Sequence, residues 1–160
     1  MILVAGTWHD ARLKGRHAAL CYNSRFTEAP AAMTLNLVPL RMRATANGDG
    51  EKFDISSSKT RTFLCTLDIT AQIEQESIDV SIQVSDDGEK WGAKPFLMLP
   101  QQFYRGRTRL LLDLTMRPEA QFIRAHWDVS RWGRVAPTPM FEFSLTLQEV
   151  PASQPLAARS

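Results

Sequence analysis

From Thr34 to Val150, apolar side chains recur at every second position, and few folds satisfy such a pattern. The cleanest run places Ile78, Val80, Ile82 and Val84 between Asp79, Ser81, Gln83 and Ser85. Phe141, Phe143, Leu145 and Leu147 alternate in the same way with Glu142, Ser144, Thr146 and Gln148. Successive side chains of a strand point to opposite faces, so a period of two gives one greasy face and one wet face. Such a sheet buries its apolar side against a second sheet and leaves the other in water.

The pattern extends along the chain. Leu40, Met42 and Ala44 alternate with Arg41, Arg43 and Thr45, and a short strand is expected at Phe53 and Ile55. Phe63, Cys65, Leu67, Ile69 and Ala71 share one face of a strand beginning near Thr60. Leu64 interrupts its polar face. Phe96 and Met98 mark a segment whose Pro95 suits an edge or bulge. Leu110, Leu112 and Leu114 form one further strand, and Ile123, Ala125, Trp127 and Val129 another. Asn47-Gly48-Asp49-Gly50 and Asp86-Asp87-Gly88 read as turns, because Asn, Asp and Gly accept positive φ. Spacings near 8–12 residues suit a sandwich or barrel. No helical period recurs between strands, which argues against a parallel βαβ sheet. The expected fold is therefore all-β: an antiparallel β-sandwich of about eight strands spanning residues 33–150.

Residues 1–32 lack this order. Ile2 to Val4 suit a short strand, and His9 to Leu20 a weak helix interrupted by Gly15. The segment reads as an irregular N-terminal arm, long enough to cross a neighbouring subunit if extended. Residues 151–160 are rich in Pro, Ala and Ser and read as a disordered tail. The start of the chain does not resemble a signal peptide, and no apolar run approaches the ~18 residues of a membrane span. A net charge of +2 over 160 residues speaks against nucleic-acid and membrane partners. Two cysteines, Cys21 and Cys65, are expected as free thiols, with Cys65 facing inward. Reduced cysteines and the absence of a leader-like segment point to a reducing compartment such as the cytoplasm.

If strands run up and down in turn, one end gathers residues 47–50, 73–76, 100–107 and 130–139. Two of these loops carry aromatic and Arg residues: Phe103, Tyr104, Arg105 and Arg107 in one, Arg131, Trp132 and Arg134 in the other. Long loops on a rigid scaffold commonly carry binding, and these residue types dominate interface hot spots. The plain alternative is that Trp132 caps the core while the arginines pair with Glu74 and Glu76.

Catalytic chemistry is thinly represented. His126 and Asp128 share one strand face, but no nucleophile in a recognisable context accompanies them. His9 and His17 lack metal-ligand spacing. Asp86, Asp87 and Glu89 are explained by a turn rather than by calcium. No cofactor or metal is expected.

The segments "FDIS" (53–56), "LDIT" (67–70), "IDVSIQVSDDGEKW" (78–91), "QFIRAHWDV" (121–129) and "FEFSLTLQEV" (141–150), with Ala44-Thr45-Ala46-Asn47-Gly48, resemble small β-sandwich structural proteins of tailed phages and prophages. That resemblance covers about two thirds of the chain and implies a virion-associated or assembly protein without enzymatic activity. "VSDDGEKW" and "FIRAHW" are also similar to the later strands of discoidin-type, galactose-binding-like jelly-roll domains. The early Asp-Gly and Trp segment of those domains and their terminal cysteine pair are missing here. The first expectation is thus a structural protein that associates with itself or with a larger protein assembly. The alternative is a carbohydrate-binding module using the Arg/aromatic loops to hold a glycan.

Overall fold

The computed structural model describes residues 32–132 and 138–152. Among these residues there are nine strands: β1 (Thr34–Ala44), β2 (Gly48–Asp49), β3 (Phe53–Asp54), β4 (Thr62–Gln72), β5 (Glu76–Ser85), β6 (Leu97–Met98), β7 (Gly106–Asp113), β8 (Phe122–Arg131) and β9 (Phe141–Glu149). They form two antiparallel sheets. The first runs β1-β9-β4-β7; the second runs β2-β8-β5-β6, with β3 also paired to β8. Among the described residues there is no helix, and so none long and apolar enough to cross a membrane. The anticipated arm at residues 1–32, the strand at residues 2–4 and the helix at residues 9–20 fall almost entirely outside the described residues. So do Cys21, Arg134 and most of the tail at 151–160.

The inward faces are those that the alternation predicts. Phe63, Cys65, Leu67 and Ile69 of β4 meet Ile78, Val80 and Ile82 of β5, together with Phe141, Phe143, Leu145 and Leu147 of β9, in one buried core. Burying each such Phe, Leu or Ile contributes roughly 1.5–3 kcal/mol before entropy is set against it. Trp127 meets Phe143 edge-on, with ring centroids 5.6 Å apart. Its indole Nε1–H donates to the Ala46 carbonyl at 3.1 Å, so the one polar atom of this side chain is satisfied. Cys65 is a free, buried thiol, and burial pushes its pKa up to about 12.

The connections β1→β2, β3→β4, β4→β5, β6→β7, β7→β8 and β8→β9 all pass between layers. Three expectations need correction. Residues 47–50 do not close a tight turn. Gly48 and Asp49 pair with Trp127 and His126 of β8, and a Cβ on Gly48 would lie 2.7 Å from Trp127 Cζ2. Glycine is present there to let backbone lie on an indole, whereas Gly88 does hold positive φ (72°) in its turn. Leu40 is 78% exposed. The β1–β9 register shifts between Val38 and Met42, around Pro39 and a left-handed Arg41 (φ 58°), and this bulge throws Leu40 outward. Met98 is likewise exposed. It lies opposite Ser81, whose side chain belongs to the outer face of β5, so Leu97 and Leu99 turn towards the core instead.

The outer face of β9 is also less wet than alternation suggests, since Glu142 and Ser144 are buried. Glu142 accepts from Arg41 Nε at 3.0 Å, Arg43 Nε at 3.2 Å and Thr70 Oγ1 at 2.8 Å. Those bonds, led by Arg41, hold its carboxyl down at about 2.

Candidate functional site

The end of the sandwich where β4 leads into β5 and β8 into β9 gathers the predicted aromatics. Pairing of Gln72 with Phe141, and of Glu76 with Arg131, fixes those two connections side by side. The loop leading into β7 arrives at the same level, because Gly106 lies opposite Ile69. Three loops therefore converge, although the chain reaches them by crossings between layers.

Phe103 stands at the centre. Its ring centroid is 6.1 Å from that of Trp132, edge-on, and 6.5 Å from that of Tyr104, tilted. Such offset arrangements are the favoured ones for aromatic pairs. Trp132 is 58% exposed and Tyr104 77%. The idea that Trp132 caps the core is therefore overturned: the core is already closed by Trp127, Phe141 and Phe143, and Trp132 faces outward. With Gln72, Glu74, Gln75 and Glu76, the three rings line an open cleft of about 300 Å³.

The arginines behave differently from the rings. Arg131 ends β8 and is buried with Glu76, Nη1 to Oε2 at 3.4 Å. Glu76 also accepts from Ile73 N–H at 2.7 Å and Met140 N–H at 3.0 Å. One carboxylate thus ties the β4–β5 loop, the end of β8 and the entry to β9 together. The expected pairing of an arginine with Glu76 is present, and it removes Arg131 from any accessible surface. Arg107 lies on β7 rather than in a loop, and it contacts Asp68 Oδ2 at 2.6 Å on the outer face of the first sheet. Arg105 is exposed, and Arg134 is outside the described residues.

Sequence reading undervalued the β4–β5 loop. Gln75 adopts a left-handed φ of 62°, and its carbonyl accepts from Trp132 N–H at 3.1 Å. This contact seats the indole beside the cleft. No glycine or proline marks that turn, so only the acidic pair Glu74 and Glu76 hinted at it.

His126 is engaged on both ring nitrogens: Nδ1 lies 2.8 Å from Asp49 Oδ1 and Nε2 lies 3.3 Å from Asp128 Oδ2. The opposing Ser81 hydroxyl donates to the backbone carbonyl of His126 at 3.5 Å, not to its ring. The arrangement is a ladder of polar side chains joining β2 to β8, with neither nitrogen directed at a hydroxyl. Asp87 Oδ1 accepts from Glu89 N–H, Lys90 N–H and Ser85 Oγ. Those bonds, Lys90 foremost, lower its carboxyl to about 2 and account for the acidic hairpin through turn geometry. Among the described residues no group of three metal-ligating side chains converges.

No protein-family model matches the chain, and no curated protein matches it.

Proposed function

We propose that the chain is a non-enzymatic structural domain that docks, through Phe103, Tyr104 and Trp132, on another protein of a larger assembly. The virion-associated role implied by the phage resemblance is the setting we favour, in the cytoplasm or in the particle itself. One observation carries the reading: three aromatic rings from two loops, side by side at one end of a rigid sandwich, with Tyr104 and Trp132 largely uncovered. Aromatic anchors of this kind supply most of the binding energy in protein interfaces. The buried Arg131–Glu76 pair anchors the end of β8 beside Trp132, and backbone bonds between Gln102 and Ile78 anchor the residue before Phe103, which lowers the ordering cost of docking.

The test is binding of the full chain to the structural proteins encoded beside its gene. One of them is expected to bind, with affinity falling at least tenfold in Tyr104→Ala/Trp132→Ala. Binding indifferent to that double substitution removes the reading. A carbohydrate-binding module remains the second reading, because Gln72, Glu74 and Gln75 bring amide and carboxylate groups beside the same rings. Aromatic stacking plus polar side chains is the chemistry that holds sugars. An aromatic-dependent signal on a glycan array, with no protein partner, transfers the assignment to it.

A further inference from the structure

The two edges of the first sheet are built in opposite ways. β1 is guarded: Pro39, two register shifts and a left-handed Arg41 disrupt its pairing geometry. Natural sheets protect exposed edges with such devices. β7 carries none of them. From Gly106 to Asp113 it pairs with β4 without a register shift, contains no proline, and has no second neighbour among the described residues.

The ladder defines what this edge offers. Leu114 N–H donates to the Arg61 carbonyl, and Val150 N–H donates to the Thr62 carbonyl. Thr62 therefore turns towards β9, and its partner Asp113 turns away from β4. Alternation along an unbroken antiparallel ladder then directs the backbone N–H and C=O of Arg107, Arg109, Leu111 and Asp113 outward. Their side chains also share one exposed face, and Leu111 is 59% exposed.

We infer that β7 pairs antiparallel with β7 of a second copy, about a two-fold axis at Leu110. In that register Arg107 faces Asp113 of the second copy, and Arg109 faces Leu111 of the second copy. All four outward-directed residues then form hydrogen-bonded pairs, since each meets a residue of the same parity. Arg107, already at Asp68, gains a second carboxylate. Leu111 is covered by the aliphatic stem of Arg109. On the inner side Leu110 meets its own copy, and Thr108 meets Leu112. The strand is thus self-complementary in charge and in shape, as an isologous two-fold contact requires. Two four-stranded sheets become one of eight strands. The end cleft takes no part in this contact.

Sedimentation of the full chain tests the inference. The wild type is expected at twice its 18.1 kDa mass at micromolar concentration. Arg107→Asp sets like charges opposite one another at two symmetric places and should weaken the dimer on the order of tenfold or more. The swap Arg107→Asp/Asp113→Arg should restore it. Leu111→Lys, at an exposed position, should also dissociate the dimer while leaving the circular dichroism spectrum unchanged. Tyr104→Ala/Trp132→Ala should leave it intact. A monomeric wild type overturns the inference. So does a dimer that survives Arg107→Asp and Leu111→Lys, or one that is lost with the aromatics.

Discussion

Glu149 closes the far end of β9, and removing its charge should cost stability in a way that pH can switch. The side chain is buried. Oε1 accepts from Ser58 Oγ at 2.8 Å, Lys59 N–H at 2.7 Å, Thr60 N–H at 2.8 Å and Thr60 Oγ1 at 3.2 Å, and Oε2 faces Met33 N–H at 3.3 Å. Burial alone raises the carboxyl pKa, but this set of donors, Thr60 N–H first, outweighs it and brings the value to about 2 from 4.5. A pKa lower in the folded state means stability that is fully present above the unfolded value and lost as pH falls through the folded one. The shift corresponds to about 3 kcal/mol at 1.36 kcal/mol per unit, and partial solvent screening reduces that to ~2 kcal/mol. In Glu149→Gln the amide keeps one acceptor but turns an N–H₂ towards Met33 N–H. Urea unfolding followed by Trp fluorescence should show ~2 kcal/mol of destabilisation at pH 7, with most of that difference gone by pH 2–3. An equal difference at both pH values would show that the bonds to Glu149 do not depend on its charge and would refute the reasoning.

Three further outcomes follow from the same kind of accounting. Glu76→Ala leaves Arg131 buried without its carboxylate and frees Ile73 and Met140 N–H, so a loss of about 3–5 kcal/mol is expected in chemical denaturation. Gly48→Ala pushes a methyl group into Trp127 and should cost about 1–3 kcal/mol and shift the Trp emission. In a Cys21→Ser background, Cys65 should resist alkylation at pH 8 under native conditions and react only at the rate of unfolding, because its thiol titrates near 12 and thiolate is the reactive form. Rapid modification of the folded protein would contradict the buried placement.

The long strands were legible in the sequence because their alternation is a direct record of one buried face. Residues 62–72, 76–85, 106–113, 122–131 and 141–149 carry it almost without error. Glu142 and Ser144 depart from it because neighbours on the outer face, Arg41 and Arg43 among them, cover that side. Leu40 and Met98 were misplaced for a different reason: a bulge or a two-residue strand resets parity, and no single residue type announces the reset. Gly48 misled because glycine serves close approach as well as turns. At the candidate site, the three aromatics were found through residue type and loop position. The pairing of an arginine with Glu76 was legible as the plain alternative and falls to Arg131, whereas the place of Arg107 on β7 against Asp68 was not, because a charged side chain at a strand end reads alike whether it is solvated or locked to a carboxylate. The cleft wall at Gln72 and Gln75 carried no compositional mark.

The pairing of β1 with β9 has a bearing on how this protein is made. Thr34 lies opposite Gln148 and Ala44 opposite Phe141, so among the described residues the first long strand to leave the ribosome pairs only with the last. At ~5–20 residues per second, that interval lasts on the order of 5–20 s. Throughout it, Leu37 and Val38 are without the layer that buries them, and the core stays open along one side. Contacts this distant in sequence make folding slow. The proline and the kinked arginine of β1 therefore protect the nascent polypeptide as much as the finished one, by denying other chains a straight template while it waits.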